Sequence, residues 1–588
     1  MNKAFLMPCI LLAGLGTGAA RAADEFDRIA PDMPPARTVE PTLPEPAVKT
    51  SNDDSVLVAR LNGLIILPSL NAVDAAGQSY NGLDTTRLPE EHPHLAETLE
   101  PFLGEPVTLA RLDGISAAIV EAYRASGRPL VDVLIPEQDI TSGTVQIVVL
   151  EFRLGKVRAE GNEYTDTSRL TAEIRSEPGQ PIDTGALFDD IRWLNRNPFR
   201  QVRLVLERGD EFAETDIILQ SEEIRPWRVY AGVDNSGSRS TGWERYFAGV
   251  NLGDLFELGH VLAYQMTASE DLFTDGALPH GLASDDPRYF AHSFSYLAPL
   301  PWRHELSFFG YYSEANPDFG TPFTSTGKSW QVSGRYNIPL SAHRGIAHEI
   351  VFGVDFKRTN NDLAFGGTAV SSSSTDVVQA MFAWSGDRAD KGGVTAGKIE
   401  FFGSPGDLSA FNSDADYQPS TSSVGRLGAS AEYVYSRAEL VRDQRLIGGF
   451  WGKGRLAGQF SSTNLLPSEQ FSLGGARSIR GFRESEVLGD HGYLTSLELH
   501  APPLALLSSE GVKDALDIYA FFDRGEAFLK RPAAGESRSR ILASAGIGLS
   551  YSLGQHLSVQ ASYGKQIVGS AINTEDNKIG IFRLVLSY

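Results

Sequence analysis

Side chains able to do chemistry cluster in a few places in this sequence, and their spacing decides what each cluster can do. His92 and His94 stand beside Glu90 and Glu91, residue types that ligate zinc. A zinc site needs a further ligand at matching spacing; none follows, and the group reads as a solvated loop. Asn412, Asp414 and Asp416 alternate as oxygen ligands do in a calcium loop, but the glycine and terminal glutamate of that loop are missing, so the segment reads as an outer loop. Gly452-Lys453-Gly454 lacks the phosphate-loop consensus and lies within an alternating strand pattern, where glycine serves curvature. There is no G-x-S-x-G, no H-E-x-x-H and no other nucleophile-plus-base pattern. The sequence supports no catalytic residue, no metal site and no cofactor, and the chain reads as a non-enzyme.

The function must then lie in how the elements are built and where they are sent. Met1 to Ala22 carries Lys3, an apolar stretch around Ile10 to Leu15 and then Ala20-Arg21-Ala22, the layout of a cleavable secretory signal that places the mature start near Ala23. No run of about 18 apolar residues follows, which excludes helical membrane spans. The one cysteine, Cys9, falls inside the signal, so neither disulfides nor thiolate-bound metals are available to the mature chain. Loss of Lys3 and Arg21 takes the formal charge from -22 to -24, which argues against nucleic acid as a partner. The acidic balance, with 58 Gly and 31 Phe, fits an exported β-protein.

Residues 23–55 hold Pro31, Pro34, Pro35, Pro41, Pro44 and Pro46 and few large apolar side chains, so they read as a semi-extended tether with a short helix at Asp24 to Ile29. From 56 to 152 the pattern is mixed α/β. It has an apolar run Val56 to Leu67, a helical stretch His94 to Phe102, and Leu112, Ile115, Ile119 and Ala122 at helical spacing. Strand-like runs Leu130 to Ile135 and Val145 to Phe152 follow, giving the order β-α-α-β-β. The order repeats between 153 and 226: a strand at Val157, helices around Leu170 and around Leu187, Ile191 and Leu194, then strands Val202 to Leu206 and Thr215 to Leu219. The stretch from Pro68 to Glu105 is longer than a strand-to-helix connection requires.

After Pro226 dyad alternation takes over. Ile350, Phe352, Val354 and Phe356 share one face, with Val351, Gly353, Asp355 and Lys357 on the other. Phe582, Leu584, Leu586 and Tyr588 alternate with Arg583, Val585 and Ser587 at the C-terminus. A soluble sandwich also alternates; the export signal, the aromatic strand ends and the length favour a membrane barrel, which leaves no edge strand unpaired in lipid. Residues 227–588 give about 23 per strand with its turn for sixteen strands of roughly 9 to 11 residues, and fourteen or eighteen strands fit nearly as well.

Several motifs carry a resemblance. Leu473-Gly474-Gly475-Ala476-Arg477-Ser478-Ile479-Arg480-Gly481-Phe482 resembles the (V/I)RG(F/Y) loop that folds into the lumen in the polypeptide-transporting barrel superfamily. Phe521-Phe522-Asp523-Arg524-Gly525 resembles its FxDxG strand. Asp234 to Gly242 resembles the first barrel hairpin of two-partner secretion transporters, the TpsB family of haemolysin secretion/activation type. Leu194 to Arg200 resembles the turn that enters the third strand of their second POTRA domain. The likeness covers nearly the whole mature chain.

It implies a mainly β fold: a C-terminal sixteen-stranded transmembrane barrel (227–588) preceded by two periplasmic α/β POTRA domains (56–152 and 153–226). It also implies an outer-membrane translocator that binds an unfolded, large, β-rich exoprotein of the TpsA kind through the POTRA domains and secretes it through the pore. An assembly factor of the same superfamily, inserting other barrels, is the alternative; such proteins carry three or five POTRA domains.

The lumen-loop motif Ile479, Arg480, Gly481, Phe482 faces, on this reading, the wall motif Phe521, Asp523, Gly525. A loop in a wet lumen has few apolar contacts and needs polar anchors, and a guanidinium forms a forked pair with a carboxylate, so Arg480 is expected to hold Asp523; otherwise Arg480 is a solvated lumen charge. The closing strand, with Phe582, Leu584, Leu586 and Tyr588 outward, meets outer-membrane lipid and is read by the barrel-assembly machinery. The long N-terminal helix that plugs the pore in such proteins has here only the short Asp24 to Ile29 counterpart.

Overall fold

The computed structural model describes residues 25–34, 51, 53–89, 93–128, 130–274, 287–318, 323–365, 368–420, 423–507, 514–569 and 577–588. The expected signal, most of the proline-rich tether, and Glu90, Glu91 and His92 lie outside the described residues. The chain forms two compact units. One spans 37–196 and 200–224; the other holds the residues up to 36, 197–199 and 225–588.

The first unit contains the two β-α-α-β-β modules. In the first module Thr144–Glu151 is central, parallel to Gly63–Leu67 and antiparallel to Val131–Leu134. Helix Leu109–Ala125 starts at Thr108, whose hydroxyl accepts the Arg111 N–H, a cap that satisfies one of the otherwise unpaired donors of the first turn. Its spacing lays Leu112, Ile115, Ile119 and Ala122 on Leu64, Ile66, Val145, Ile147 and Val149. Of the apolar run from Val56, only Gly63–Leu67 is strand, and Val56 and Leu57 are exposed.

The long connection after Pro68 has a structural purpose. It returns as Gly82–Asp84, a strand added in parallel to Gly63–Ile65 on the outer edge of the sheet. Tyr80 N–H donates to Thr144 Oγ1 (3.0 Å), and the fully buried Gln146 exchanges two hydrogen bonds with the Asp74 backbone. Val73 packs on Ile65, Leu67, Val148 and Leu150, on the sheet face away from the helices. With both faces covered, these strands read as continuous apolar runs instead of alternating.

The second module has Glu214–Glu223 at its centre, parallel to Arg153–Glu160 and antiparallel to Arg200–Arg208. Asp183 caps helix Thr184–Leu194 by accepting the Ala186 N–H, and Leu187, Ile191 and Leu194 meet Leu154, Val202, Ile217 and Leu219. The turn Leu194 to Arg200 leads into the second strand of this module, not the third, because in a β-α-α-β-β order the strand after both helices is the second.

The other unit is a barrel of sixteen strands, closed by antiparallel pairing of Lys578–Ser587 with Trp227–Asp234. Outward residues such as Phe352 and Val354 are exposed while Asp355 and Lys357 are buried on the lumenal side, the arrangement a lipid-facing wall requires. The expectation of 9 to 11 residues per strand fails for Phe323–His343, Ile346–Phe365 and Thr368–Asp390, which run 21, 20 and 23 residues. Their far ends pair Thr359 with Thr375, Asn360 with Ser374 and Asp362 with Ser372, a polar ladder that continues the sheet into water.

Candidate functional site

The loop 462–490 leaves strand Trp451–Ser461 and returns to strand His491–His500. Its two ends are fixed by buried carboxylates. Asp490 accepts from both terminal nitrogens of Arg426, from Leu465 N–H (2.8 Å), Lys530 N–H (2.9 Å) and Gln470 Nε2 (3.2 Å). Glu469 is held from the wall by Lys357 Nζ (3.0 Å), Gln379 Nε2 (3.2 Å) and the Tyr435 hydroxyl (2.8 Å). Every lone pair so engaged lowers the desolvation cost of placing charge inside the barrel.

Between these ends Phe471–Leu473 pairs antiparallel with Val487–Gly489, and the tip carries the motif. Arg480 and Asp523 meet through a forked pair: Nε to Oδ2 at 2.8 Å and Nη2 to Oδ1 at 2.7 Å, with the Arg480 backbone N–H adding a third bond at 3.0 Å. Asp523 is fully buried and Arg480 is 7% exposed, so this is a desolvated pair and not a solvated lumen charge. The guanidinium lies 3.8 Å above the centroid of the Phe521 ring. Its remaining donors reach Ser496 Oγ (3.1 Å) and Glu498, and Ser496 Oγ in turn donates to Asp523 (2.7 Å). Glu498 also meets His500 (3.1 Å), which lies against Asp517 (2.8 Å).

The neighbours of Arg480 fix the loop by shape. Ile479 and Phe482 are buried with Phe471, Leu473, Val487, Leu494, Ala527 and Leu542. The loop thus packs a small core of its own, contrary to the expectation of few apolar contacts, because its inner hairpin is wide enough to fold apolar side chains against the wall. Gly481 has φ +88°, and a Cβ there would stand 2.9 Å from the Gly564 carbonyl carbon of strand Leu557–Val568. The two backbones touch, and Gln566 Nε2 donates to the Gly481 carbonyl (2.9 Å). Gly525 leaves room for Leu473, whose Cδ2 a Cβ would approach to 2.8 Å.

Ser496, Glu498, Gly564 and Gln566 were not singled out from the sequence. Their one signal is parity: Ser496 and Glu498 sit two residues apart on one strand, paired in register with Asp523 and Phe521.

The segment after the expected cleavage site also lies in the barrel. Helix Glu25–Ile29 places Phe26 4.7 Å from the Phe309 ring and packs Ile29 with Tyr289, Ala291 and Tyr311. At the closing strand Phe582, Leu586 and Tyr588 are exposed and Leu584 is half-buried. Tyr588 exchanges backbone hydrogen bonds with Val229 (2.9 and 3.1 Å), and its ring lies beside Trp227. Asn412 and Asp416 serve locally: Asn412 bonds the Asp376 carbonyl and the Tyr417 hydroxyl, and Asp416 completes a capping box with Ser413. Among the described residues no group of three or more acidic, His or Cys side chains is placed to hold a metal ion.

Known proteins share these features. Residues 213–551 match the family described as haemolysin secretion/activation protein ShlB/FhaC/HecB, and residues 78–151 match the ShlB-type POTRA domain. The outer membrane transporter CdiB-2 of Burkholderia pseudomallei is 24% identical over 545 residues, covering 88% of this chain and 85% of the relative. The heme/hemopexin transporter protein HuxB of Haemophilus influenzae is 22% identical over 509 residues, 82% of each chain. The solved structure of CdiB from Escherichia coli shares the fold with a TM-score of 0.70 at 18% identity, over 96% of this chain and 94% of that one. Since the family match spans more than half its length, the chain belongs to the ShlB/FhaC/HecB haemolysin secretion/activation family and is an outer-membrane translocator of two-partner secretion whose POTRA domains lie in the periplasm.

Proposed function

We propose that this translocator captures an unfolded, large, β-rich exoprotein through its POTRA domains and passes it through the barrel past the loop 462–490, with Arg480 as the anchor that sets the loop against the wall. The observation that carries the reading is the forked pair of Arg480 with Asp523, reinforced by Glu498 and Ser496. An anchor of hydrogen bonds and charge keeps a defined lumen wall while water and polypeptide pass. A β-α-α-β-β unit with an open sheet edge accepts an extended client by main-chain hydrogen bonds with little sequence demand. Folding of the client outside the cell supplies the direction of transport. The segment 1–22 is removed as a secretory signal, and Phe582, Leu584, Leu586 and Tyr588 present the closing strand to lipid and to the assembly machinery.

Arg480→Ala leaves a buried Asp523 without its cation, a loss of about 3 to 5 kcal/mol for a desolvated pair. The expected result is a folded barrel with altered single-channel conductance in planar bilayers and reduced export; unchanged conductance and export contradict the anchor. Deleting the gene and assaying the medium tests the transport itself. Loss of one large secreted protein supports it, and a general loss of outer-membrane barrels points to barrel insertion instead.

A further inference from the structure

Residues 29–33 are held on the inner wall of the barrel by groups that read a peptide in two ways. Main-chain atoms are read first. The Ile29 carbonyl accepts from Gln265 Nε2 (3.1 Å) and Ser293 Oγ, Asp32 N–H donates to the Tyr230 hydroxyl (2.9 Å), and the Asp32 carbonyl accepts from Arg228 Nη1 (2.8 Å). The side chain is read second, by Arg228 Nη2 (2.9 Å) and Arg583 Nη2 (3.2 Å) on the Asp32 carboxylate. Arg228 belongs to the first strand and Arg583 to the last, so this carboxylate sits across the seam that closes the barrel. The seam pairs only five residues in register, Tyr230 to Asp234 with Arg583 to Ser587.

Most of this set is indifferent to sequence, because every polypeptide offers amides and carbonyls; the carboxylate alone is selective. Pro31 and Pro34 keep the segment extended, the form in which an exported chain travels. With Asp32 gone, Arg228 retains Asn251 Oδ1 (3.3 Å) and the Tyr230 ring (4.8 Å), and Arg583 retains Asp234 (3.2 Å) and the Phe247 ring (4.4 Å). Two guanidiniums then face one carboxylate. A pre-formed cationic fork on a partly desolvated wall favours a second carboxylate in the vacated place.

We propose that Arg228, Arg583 and Tyr230, with Gln265 and Ser293, form a lumenal subsite for extended polypeptide bearing an Asp or Glu side chain, filled at rest by Asp32 and during passage by acidic residues of the exported chain. The proposal rests on the barrel being the conduit and adds to it a chemistry that the conduit recognises.

The test uses the detergent-solubilised protein with residues 25–34 replaced by a Gly-Ser linker of the same length, which empties the subsite of its resident segment without altering the wall, and a fluorescent peptide of residues 25–34. By anisotropy the native peptide binds at least tenfold tighter than its Asp32→Asn twin. The difference collapses in protein that also carries Arg228→Gln or Arg583→Gln, each checked as folded by heat-modifiable gel migration, so that either one suffices. Equal binding of the twins, no binding of either, or a difference that survives both substitutions overturns the subsite. A second pair, an unrelated proline-flanked decapeptide with one central Asp and its Asn twin, tests the exported-chain half: at least threefold preference for Asp supports it. Binding of the chain's own peptide alone overturns it, leaving a seat private to the N-terminus. Export is measured separately, so a barrel that secretes normally while the twins bind alike sinks the subsite and spares the conduit.

Discussion

In the first POTRA module Ile65, Leu67, Val148 and Leu150 line the sheet face away from the helices, and all four are buried; in the second the same face carries the exposed Lys156, Arg158, Gln220 and Glu222 around a buried Asp216 and Ile218. The edges differ in the same sense. Gly63–Ile65 already has Gly82–Asp84 beside it, whereas Arg153–Glu160 is the outer strand of its sheet among the described residues. Two modules with one order of elements have thus been given opposite surfaces by a single insertion. Along its first strand the first module is covered by the three residues Gly82–Asp84, whereas the second leaves the eight residues Arg153–Glu160 outermost, so strand addition of the kind proposed above finds its longer free edge at the stretch ending in Arg158-Ala159-Glu160. The lesson reaches the sequence as well: a covered sheet is written as an unbroken apolar run, and an open one as alternation.

The sharpest way to break the comparison is to place the same charge on both central strands. Val148→Lys buries an ammonium among Ile65, Leu67 and Leu150 and is expected to cost about 3 to 5 kcal/mol, the scale of an uncompensated buried charge. Gln220→Lys changes an exposed side chain and is expected to stay within about 0.5 kcal/mol. Amide hydrogen exchange on the full chain reads each module separately. Similar losses in both modules would mean that the first is not sealed.

A smaller effect comes from Gly63→Ala. A Cβ at residue 63 would lie 2.4 Å from the Tyr80 carbonyl oxygen, a backbone atom that yields only if the insertion moves. Overpacking of this kind costs about 1 to 3 kcal/mol. The expected outcome is faster exchange at 80–84 with protection kept at Val145 to Val149, turning the first module's edge into an open one like the second's. Protection kept at 80–84 would contradict the sealing role of the close fit.

The contrast also shows what the sequence disclosed. Helix Leu109–Ala125, the strand pairs and the dyad alternation of Ile350 to Lys357 were legible because burial on one face leaves a period of 3.6 or 2. Arg480 and Asp523 were legible as motifs. Gly82–Asp84 was not, since three residues carry no period, and the bonds that lead the chain to it, from Tyr80 to Thr144 and from Asp74 to Gln146, reach across 64 and 72 residues. Glu498 and Ser496 were hidden for another reason: inward polar residues are the rule on a lumenal wall, so nothing separates an anchor from its hydrated neighbours. The extra length of the strands between Phe323 and Asp390 was hidden because Ser, Thr and Asn suit a loop and a solvent-exposed ladder alike.

The smallest expected effect concerns the end of the sealing strand. Asp84 accepts from the Thr86 hydroxyl (2.7 Å), the Thr86 N–H (3.1 Å) and Arg87 Nε (3.1 Å), a local turn that stops the strand and directs the chain onward. The Thr86 hydroxyl above all, with the Thr86 N–H and the Arg87 charge, holds this carboxyl below the usual carboxylate range, while burial opposes them. A carboxyl whose folded value lies below its unfolded value of about 3.9 contributes stability that is fully present above that pH and is lost as pH falls through the folded value. Asp84→Asn removes the contribution at every pH. The gap in protection at 82–84 between native and variant proteins, corrected for intrinsic exchange, should therefore be constant between about pH 7 and pH 5 and close below about pH 4. A gap that persists in strong acid would mean that the turn is held by shape and not by the ionised carboxylate, and that the first module's edge stays sealed in acid instead of loosening toward the open state of the second.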